Sequence, residues 1–352
     1  MHIVRRSFTE KPLLSKALTS YIPDSSFAVL DIETLGLSPA HAPVILVGLI
    51  TYDPNSDRSL FLQIFADRPE EEEDILHLSL EELGKVDFLV SYNGRFFDIP
   101  FLIKRCRTYR LAFPDLFNLD LFPLVKYYSP LNAFTSSFSQ TAIEKLAGIA
   151  DLRKDEISGK ESILLYERFL EEGSSSLRNK ILLHNADDIR QLFRLLHLTA
   201  KCDLHRFFFR TGFPLGESRI RKTTLHASIL HIQGKAPSTG PYISFPTVEK
   251  PYKIFIEESG TFSVDIPLSR KAACDFVDLV PLLGEKAALL QAFSAYQSGY
   301  LILKEGDAIH FDAINHFSSL FVAKILAELK ISGKIGTEAD KAPIGDHIRP
   351  FR

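Results

Sequence analysis

A short apolar stretch near the start of the chain constrains the fold more than any other feature. Residues 27–37 read FAVLDIETLGL, a run of strand-forming residues that places Asp31 and Glu33 two positions apart. Side chains alternate faces along a strand, so both carboxylates point to the same side. Two ionised carboxylates repel each other and are rarely buried without a cation. The stretch therefore predicts a strand with a site for a hard, oxygen-preferring ion such as Mg²⁺ or Mn²⁺.

The same pair also fits a plainer structure. This alternative is an exposed strand end whose two acids face water before the turn at Gly36. Other motifs of the chain are needed to distinguish a metal site from an exposed strand end.

The apolar segments that follow predict a mixed α/β sheet. Runs at 44–52 and 59–65, separated by short turns, predict two strands that continue an antiparallel meander. A helix from about 70 to 83, acidic at its start, leads to a strand at 87–92 that we expect to be parallel to the first. A further strand at 115–120 completes a five-stranded sheet with flanking helices.

A third acidic residue follows the fourth predicted strand. Residues 92–102 read YNGRFFDIPFL, in which a loop containing Asn93 leads to a helix that begins near Asp98, with Pro100 in its first turn. Asp is a preferred N-cap, so Asp98 has an ordinary structural role available. It also follows the carboxyl end of a strand, where ligands collect in open α/β sheets.

Three predicted helices follow, at about 140–147, 161–173 and 177–199. On the last of them His184 and Asp188 are four residues apart and share a face, whereas Asp187 points about 100° away from Asp188. We therefore expect Asp188, and not Asp187, to join a site with His184, and replacing Asp187 should cost little. A surface hydrogen bond between His184 and Asp188 is the alternative, but the surrounding leucines and isoleucine favour a packed helix.

These signals, taken in chain order, resemble the ribonuclease-H-like DEDD superfamily of 3′→5′ exonucleases. The closer likeness is to its bacterial YprB-like branch, which has the patterns F-D-I-E-T-x-G-L, Y-N-G-x-x-F-D-x-P-x-L and H-N-x-x-D-I. This chain has LDIETLGL at 30–37, YNGRFFDIPFL at 92–102 and HNADDI at 184–189. The resemblance covers about residues 1–200 and implies a ribonuclease-H-like exonuclease domain there.

The resemblance also implies a set of site residues. Two divalent metal ions, Mg²⁺ or Mn²⁺, would be held by Asp31, Glu33, Asp98 and Asp188. Thr34 and Asn93, which stand within the motifs, are predicted substrate-binding residues. His184 stands four residues before the last Asp, where one subclass has a tyrosine, whereas another subclass has a histidine five residues before it. Orientation of the attacking water and general-base catalysis therefore both stay open for His184.

The composition changes after residue 200. Between Lys201 and Lys222, basic residues alternate with the phenylalanines at 207–209 and 213. This pattern predicts a nucleic-acid contact in which Arg206 and Arg210 bind the backbone while the aromatic rings stack on bases. Core phenylalanines with solvated arginines are the alternative.

The remaining segments predict a small α+β appendage at 201–332 and a polar tail at 333–352. We expect strands at about 224–233, 252–257, 261–267 and 300–304, and helices at about 269–298 and 308–329. No catalytic constellation is recognisable in this part of the sequence.

Charge and composition limit where the chain acts and what it binds. The net charge of −3 gives no broad basic field, so a polyanion must bind a local patch. Three cysteines far apart in the sequence predict reduced thiols and no zinc site. No apolar run is long enough to span a bilayer, which excludes a membrane partner and favours a cytoplasmic protein.

The sequence hypothesis is a metal-dependent 3′→5′ exonuclease that hydrolyses phosphodiester bonds of DNA or RNA, with single-stranded 3′ ends as the expected substrate. A catalytically weak or inactive nucleic-acid-binding module of the same fold is the alternative. A nuclease that cuts internally is a third interpretation. The presence of all four acids favours the enzyme, because a degenerate binder would usually have lost one or more of them.

Overall fold

The structure is a computed structural model that describes residues 1–155, 157–237 and 240–331. The chain divides into two compact units, Met1–Leu204 and the part that begins at His205. The predicted polar tail at 333–352 lies outside the described residues. Within the described residues, no helix is long and apolar enough to cross a membrane.

The strands of the first unit are β1 (His2–Phe8), β2 (Phe27–Thr34), β3 (Val44–Asp53), β4 (Arg58–Phe65), β5 (Phe88–Ser91) and β6 (Phe117–Asp120). Its α-helices are α1 (Lys16–Tyr21), α2 (Glu72–Leu83), α3 (Asp98–Thr108), α4 (Leu121–Tyr128), α5 (Gln140–Ala147), α6 (Gly159–Glu172) and α7 (Ser175–Leu195).

The strands of the first unit form one mixed sheet in the order β1-β4-β3-β2-β5-β6. The antiparallel meander of β2, β3 and β4 is as predicted, and β5 is parallel to β2 after the α2 crossover. β6 adds to β5 in parallel. The predicted α/β class is therefore confirmed.

The sheet has six strands where the sequence predicts five. The additional strand, β1, pairs antiparallel with β4 from His2 opposite Phe65 to Phe8 opposite Ser59. Its sequence HIVRRSF lacks a regular apolar alternation, so tertiary pairing with β4 rather than local pattern makes it a strand.

Helices cover both faces of this sheet and leave one end open. On one face the core contains residues of the sheet together with Ile75 and Leu83 of α2 and Phe101 of α3. On the other face Tyr166 of α6 and Ile181 of α7 pack against the sheet. β2 is buried along its whole length except at Asp31, which is partly exposed, so its two acids lie at the inner end of any cavity at this edge of the sheet.

A buried ion pair fixes α2 and α3 against the sheet. Glu72, at the start of α2, is fully buried and accepts hydrogen bonds from Arg105 Nε at 2.8 Å and Nη2 at 2.5 Å. It also accepts from the Tyr109 hydroxyl at 2.9 Å and from the backbone amide of Val44 at 2.8 Å. Every carboxylate oxygen therefore has a donor, and the position of α3 is set by this pair.

The strands that follow are β7 (Phe213–Leu215), β8 (Ser218–His226), β9 (Ile229–Lys235), β10 (Tyr242–Ser244), β11 (Lys253–Ile256), β12 (Thr261–Pro267), β13 (Ser269–Lys271), β14 (Cys274–Asp278), β15 (Tyr296–Gln297), β16 (Tyr300–Glu305) and β17 (Ala308–Ile309). The helices are α8 (Leu204–Thr211), which begins at the last residue of the first unit, α9 (Leu279–Leu283) and α10 (Phe311–Ile331). The described strands form two sheets, one in the order β10-β11-β12-β9-β8-β7 and one in the order β13-β14-β16-β15, with β17 beside β16.

Two predictions for the second unit are wrong. The segment 269–298, predicted as helix, contains strands β13, β14 and β15 and only the short helix α9. Residues 274–278 alternate between partly exposed and buried positions and pair with β16, which overrides the helical tendency of the Ala- and Leu-rich residues around them. The strand predicted at 224–233 is a hairpin of β8 and β9, which turns at Ala227 with a φ of 52°.

We expect Arg105→Met to lower the free energy of unfolding by about 3–5 kcal/mol, because it leaves Glu72 buried without its cation. Urea unfolding followed by circular dichroism measures the change. Arg168→Met is the matched control, since the pair between Arg168 and Glu172 is exposed and should contribute at most about 1 kcal/mol. Similar losses in the two variants would contradict a special role for the buried pair.

Candidate active site

The predicted site residues of the first unit line one cavity of about 940 Å³ at the carboxyl ends of β2 and β5. They come from β2, from the β5–α3 loop, from α3 and from α7, and they are Asp31, Glu33, Thr34, Asn93, Asp98, His184 and Asp188. Residues 153, 155 and 157–160, which lead into and begin α6, also line this cavity. Segments that are far apart in the sequence thus supply acids to the same end of the sheet.

Asp98 does not cap its helix. α3 begins at Asp98 itself, and the capping position is Phe97, which makes no side-chain cap hydrogen bond. The Asp98 carboxylate instead accepts from the backbone amide of Ile32 at 3.3 Å, between Asp31 and Glu33. The side chain is 6% exposed, so this contact holds a third carboxylate beside the two acids of β2.

The loop that carries Asn93 is held by Asp120, a residue that the sequence did not single out. Asp120 accepts from the backbone amides of Asn93 at 2.7 Å and Arg95 at 3.0 Å. Asn93 adopts a φ of 63°, and a Cβ on the next residue, Gly94, would lie 2.5 Å from the Ser91 side chain. The loop therefore has one well-defined path along the cavity rim.

Two hydrogen bonds through Asn185, which we call the relay, hold Asp31 across three strands. Asp31, Gly48 and Gln63 are paired neighbours on β2, β3 and β4. Asn185 of α7 lies over Gly48, donates from Nδ2 to Asp31 Oδ2 at 2.8 Å, and accepts from Gln63 Nε2 at 2.9 Å. A Cβ at position 48 would lie 2.1 Å from Asn185 Oδ1, so only glycine leaves room for this amide.

His184 is held by a carboxylate that the sequence analysis missed. Its Nδ1 lies 2.5 Å from Asp155 Oδ2. Its Nε2 lies 3.5 Å from Asp188 Oδ2 and 3.7 Å from Glu33 Oε1. Glu33, His184 and Asp188 each offer one ligand atom within 4.8 Å of the others, which makes them a candidate metal-binding group.

Arg153 is the second missed residue of this cavity. Its guanidinium contacts Glu144 at 2.8 Å, Asp155 at 2.8 Å and Asp188 at 2.6 Å. It therefore neutralises part of the negative charge beside the cavity. The sequence contains no spacing pattern that predicts this role for Arg153, because its three partners lie at very different distances along the chain.

Asp187 lies outside the acidic cluster, in agreement with the helix geometry, but its side chain has a structural role. It is 2% exposed and accepts from the backbone amides of Lys154 at 2.5 Å and Asp155 at 2.9 Å. Asp187 thereby positions the loop that presents Asp155 to His184. The expectation that replacing it costs little overlooked this contact.

Burial and mutual repulsion raise the pKa values of the clustered acids. Burial, with the charges of Asp188, Asp98 and Glu33, raises the pKa of Asp31 well above its ordinary value. Burial likewise raises the pKa of Glu33 to about 7, the pKa of Asp98 to about 7, and the pKa of Asp188 in the same direction. The site therefore holds more carboxylates than it can ionise without added positive charge.

The surrounding acids stabilise the protonated, positively charged form of His184. Burial alone would lower the pKa of His184, but the hydrogen bond with Asp155 and the charges of Asp188 and Glu33 outweigh it and raise the pKa to about 9. Clustered carboxylate oxygens are the ligands that Mg²⁺ and Mn²⁺ prefer, so the acids of this cavity fit divalent ions.

The predicted substrate-binding residues fall into two groups. Thr34 lines the cavity and donates from its hydroxyl to the Gly36 carbonyl at 2.8 Å, and Asn93 lines the rim. Arg206 and Arg210 are exposed residues of the second unit, and their contact with nucleic acid stays a prediction. The phenylalanines beside them, at 207–209 and 213, are at most 2% exposed, so they are core residues and cannot stack on bases.

Fold and site together define a mixed α/β sheet protein with an acidic candidate metal site at the carboxyl ends of its parallel strands. Residues 28–200 match the family model described as the RNase_H superfamily, and the fold of the first unit is ribonuclease-H-like. No curated protein sequence matches the chain.

A solved structure to which the chain is similar is the family B DNA polymerase from the hyperthermophilic archaeon Pyrobaculum calidifontis. The sequence identity is 13% and the TM-score is 0.42. The match covers 88% of this chain and 47% of the polymerase chain, so the chain spans about half the length of that protein.

We expect Gly48→Ala to weaken Mn²⁺ binding by about 10- to 100-fold, because the new methyl group displaces Asn185 and releases Asp31. Isothermal titration calorimetry measures the affinity. Gly159→Ala is the matched control, since a Cβ there meets no atom within 4 Å. Unchanged affinity in folded Gly48→Ala would show that the relay does not position Asp31.

Asp31→Asn should raise the melting temperature of the metal-free protein, because it removes one of several repelling charges. The pKa values of Glu33 and Asp98 in the folded protein are raised to about 7, above those of the unfolded chain. Between about pH 4 and pH 7 the folded protein therefore binds more protons than the unfolded chain. Wild-type stability in EDTA should therefore fall as pH rises through this window.

Differential scanning fluorimetry at pH 5 and pH 7.5 tests both statements. Mn²⁺ should restore the stability of the wild type at pH 7.5 and should act much less on Asp31→Asn. A wild-type melting temperature that rises with pH in EDTA would contradict the repulsion argument.

Proposed function

We propose that the first unit is a metal-dependent 3′→5′ exonuclease that hydrolyses phosphodiester bonds of DNA or RNA. The observation that carries the proposal is the convergence of Asp31, Glu33, Asp98 and Asp188 in one cavity beside His184. The RNase_H superfamily match over residues 28–200 supports it. The 3′→5′ direction, the DEDD type and the YprB-like branch rest on the three ordered sequence motifs.

The four acids are the proposed ligands of two divalent ions, Mg²⁺ or Mn²⁺. Bound there, such ions would lower the pKa of an attacking water and stabilise the negative charge that develops on the phosphate and the leaving oxygen. Phosphoryl transfer depends mainly on positioning and charge stabilisation. The chain's own contribution is therefore to hold the acids at fixed places, through Asn185 for Asp31, the amide of Ile32 for Asp98 and Arg153 for Asp188.

We assign His184 the role of general base. Asp155 accepts from the Nδ1–H group, which leaves the lone pair of Nε2 in the neutral imidazole directed towards the side of Glu33 and Asp188. A water bound between these groups would be within hydrogen-bond reach of Nε2, which could then accept its proton. Cations bound by Asp188 and Glu33 would remove the part of the pKa increase that these two acids cause, while the hydrogen bond with Asp155 would remain; the pKa of His184 would therefore fall and the neutral ring would be favoured.

The cavity dimensions agree with a nucleotide as the reacting unit. Its volume of about 940 Å³ lies in the range of small-molecule sites, roughly 300–1,000 Å³. Leu37, Thr34 and Asn93 form part of its wall and are the proposed contacts for the terminal nucleotide.

The decisive experiment incubates the purified protein with end-labelled single- and double-stranded DNA and RNA in Mg²⁺, Mn²⁺ or EDTA. A ladder that shortens from the 3′ end only when a metal is present establishes the reaction and its direction. Internal fragments would instead indicate an internally cutting nuclease. Binding without cleavage would indicate a nucleic-acid-binding module.

Asp188→Asn should lower kcat by several orders of magnitude, because it removes a ligand charge while keeping the size of the side chain. Asp187→Asn is the matched control on the neighbouring position: its amide oxygen can still accept from Lys154 and Asp155, so it should lose far less. Rates on an end-labelled oligonucleotide in Mn²⁺, with calorimetric Mn²⁺ affinity for both variants, provide the comparison. If Asp187→Asn is the inactive variant, the ligand assignment on α7 is wrong.

A further inference from the structure

Three aromatic rings, two from α4 and one from the segment before α5, surround the side chain of a lysine on α4. Lys126 Nζ lies 5.2 Å from the ring centre of Phe122, 5.1 Å from that of Tyr127 and 5.9 Å from that of Phe138. These four residues form what we call the Lys126 patch. Tyr127 is 60% exposed, while the other members are partly exposed.

The patch is not needed to close the core. α4 buries Leu121, Leu124 and Val125, each at most 1% exposed, against the rest of the unit. Phe122 and Lys126 are four residues apart and share the open face of the helix. An amphipathic helix ordinarily presents polar residues to solvent, whereas here the ring of Tyr127 is exposed and available to a ligand.

The patch is continuous with the cavity. Tyr92 lines the cavity, and its ring centre lies 5.9 Å from that of Phe122. The Tyr92 hydroxyl donates to the backbone carbonyl of Phe138 at 2.7 Å. Ser139, the next residue, lines the cavity as well. A chain leaving the cavity past Tyr92 would therefore meet Phe122 and Phe138, two members of the patch.

Charge favours a polyanion at this place. Arg153, which lies in the cavity wall, is already engaged by three carboxylates and has little capacity for a phosphate. Lys126, in contrast, has no ion-pair partner within residues 1–155, 157–237 and 240–331. With a net charge of −3, the chain needs such local cations to attract a phosphate backbone.

We propose that the Lys126 patch binds the single strand whose end enters the cavity, with Lys126 at a phosphate and Tyr127 stacked on an unpaired base. This inference rests on the proposed function, because it locates the polymer part of that substrate. Exposed rings beside a cation are the groups that bind single strands with little sequence preference. Paired bases offer no free face to Tyr127, so the patch selects single strands over duplexes.

The test compares two substrates in Mn²⁺ with a Lys126→Gln/Tyr127→Ala variant. One is the p-nitrophenyl ester of thymidine 5′-monophosphate, which is too short to reach the patch, and the other is an end-labelled single-stranded 20-mer. The ratio of 20-mer to ester kcat/KM should fall at least about tenfold, mainly through KM. Lys126→Arg should retain most of the 20-mer activity, since the charge is kept. Lys85→Gln, an exposed lysine at the end of α2, is the charge-matched control.

Fluorescence anisotropy of the labelled 20-mer in EDTA tests the patch without hydrolysis. The variant should bind more weakly, and the slope of log Kd against log salt should decrease by about 1. An unchanged ratio, or equal 20-mer affinity for variant and wild type, overturns the proposal. If the wild type hydrolyses neither substrate, the proposed function fails, and the anisotropy comparison alone then decides on the patch.

Discussion

Repulsion between buried carboxylates is the constraint on which the rest of the first unit depends. Asp31, Glu33, Asp98 and Asp188 would separate if they were free to do so, and each raises the cost of ionising its neighbours. The surrounding structure opposes that separation with hydrogen bonds from Asn185 to Asp31, from the amide of Ile32 to Asp98 and from Arg153 to Asp188. Several carboxylates held this close together are typical of a site that binds cations.

Two supports hold the two sides of the cavity. The Glu72–Arg105 pair fixes α3, which begins at Asp98, and the Asn185–Gln63 relay fixes α7 against the sheet beside Asp31. Both supports are anchored on the same sheet, because Glu72 accepts from the amide of Val44 on β3 and Asn185 accepts from Gln63 on β4. The separation between acids of different elements is thus set by rigid packing rather than by the loops.

Local patterns in the sequence predicted the central strands, helices α2, α3, α5, α6 and α7, and the four acids Asp31, Glu33, Asp98 and Asp188. They did so because strand alternation, helical spacing and short motifs are properties of neighbouring residues. The contacts that hold those acids were not predictable in this way: Asn185 meets Asp31 across 154 residues and Gln63 across 122. The same limitation explains β1 and the strands at 269–278, which depend on their partners.

The sixth strand changes what the sheet can do to other molecules. Without β1, the ladder of β4 would present unpaired amides and carbonyls along a hydrophobic strand that contains Phe61, Leu62 and Ile64. β1 covers that ladder and places Arg5 and Arg6 at the new border. Charged border strands discourage the edge-to-edge pairing from which aggregates grow. Although its own strand pattern is weak, β1 thus reduces the tendency of the sheet to pair edge to edge with another copy.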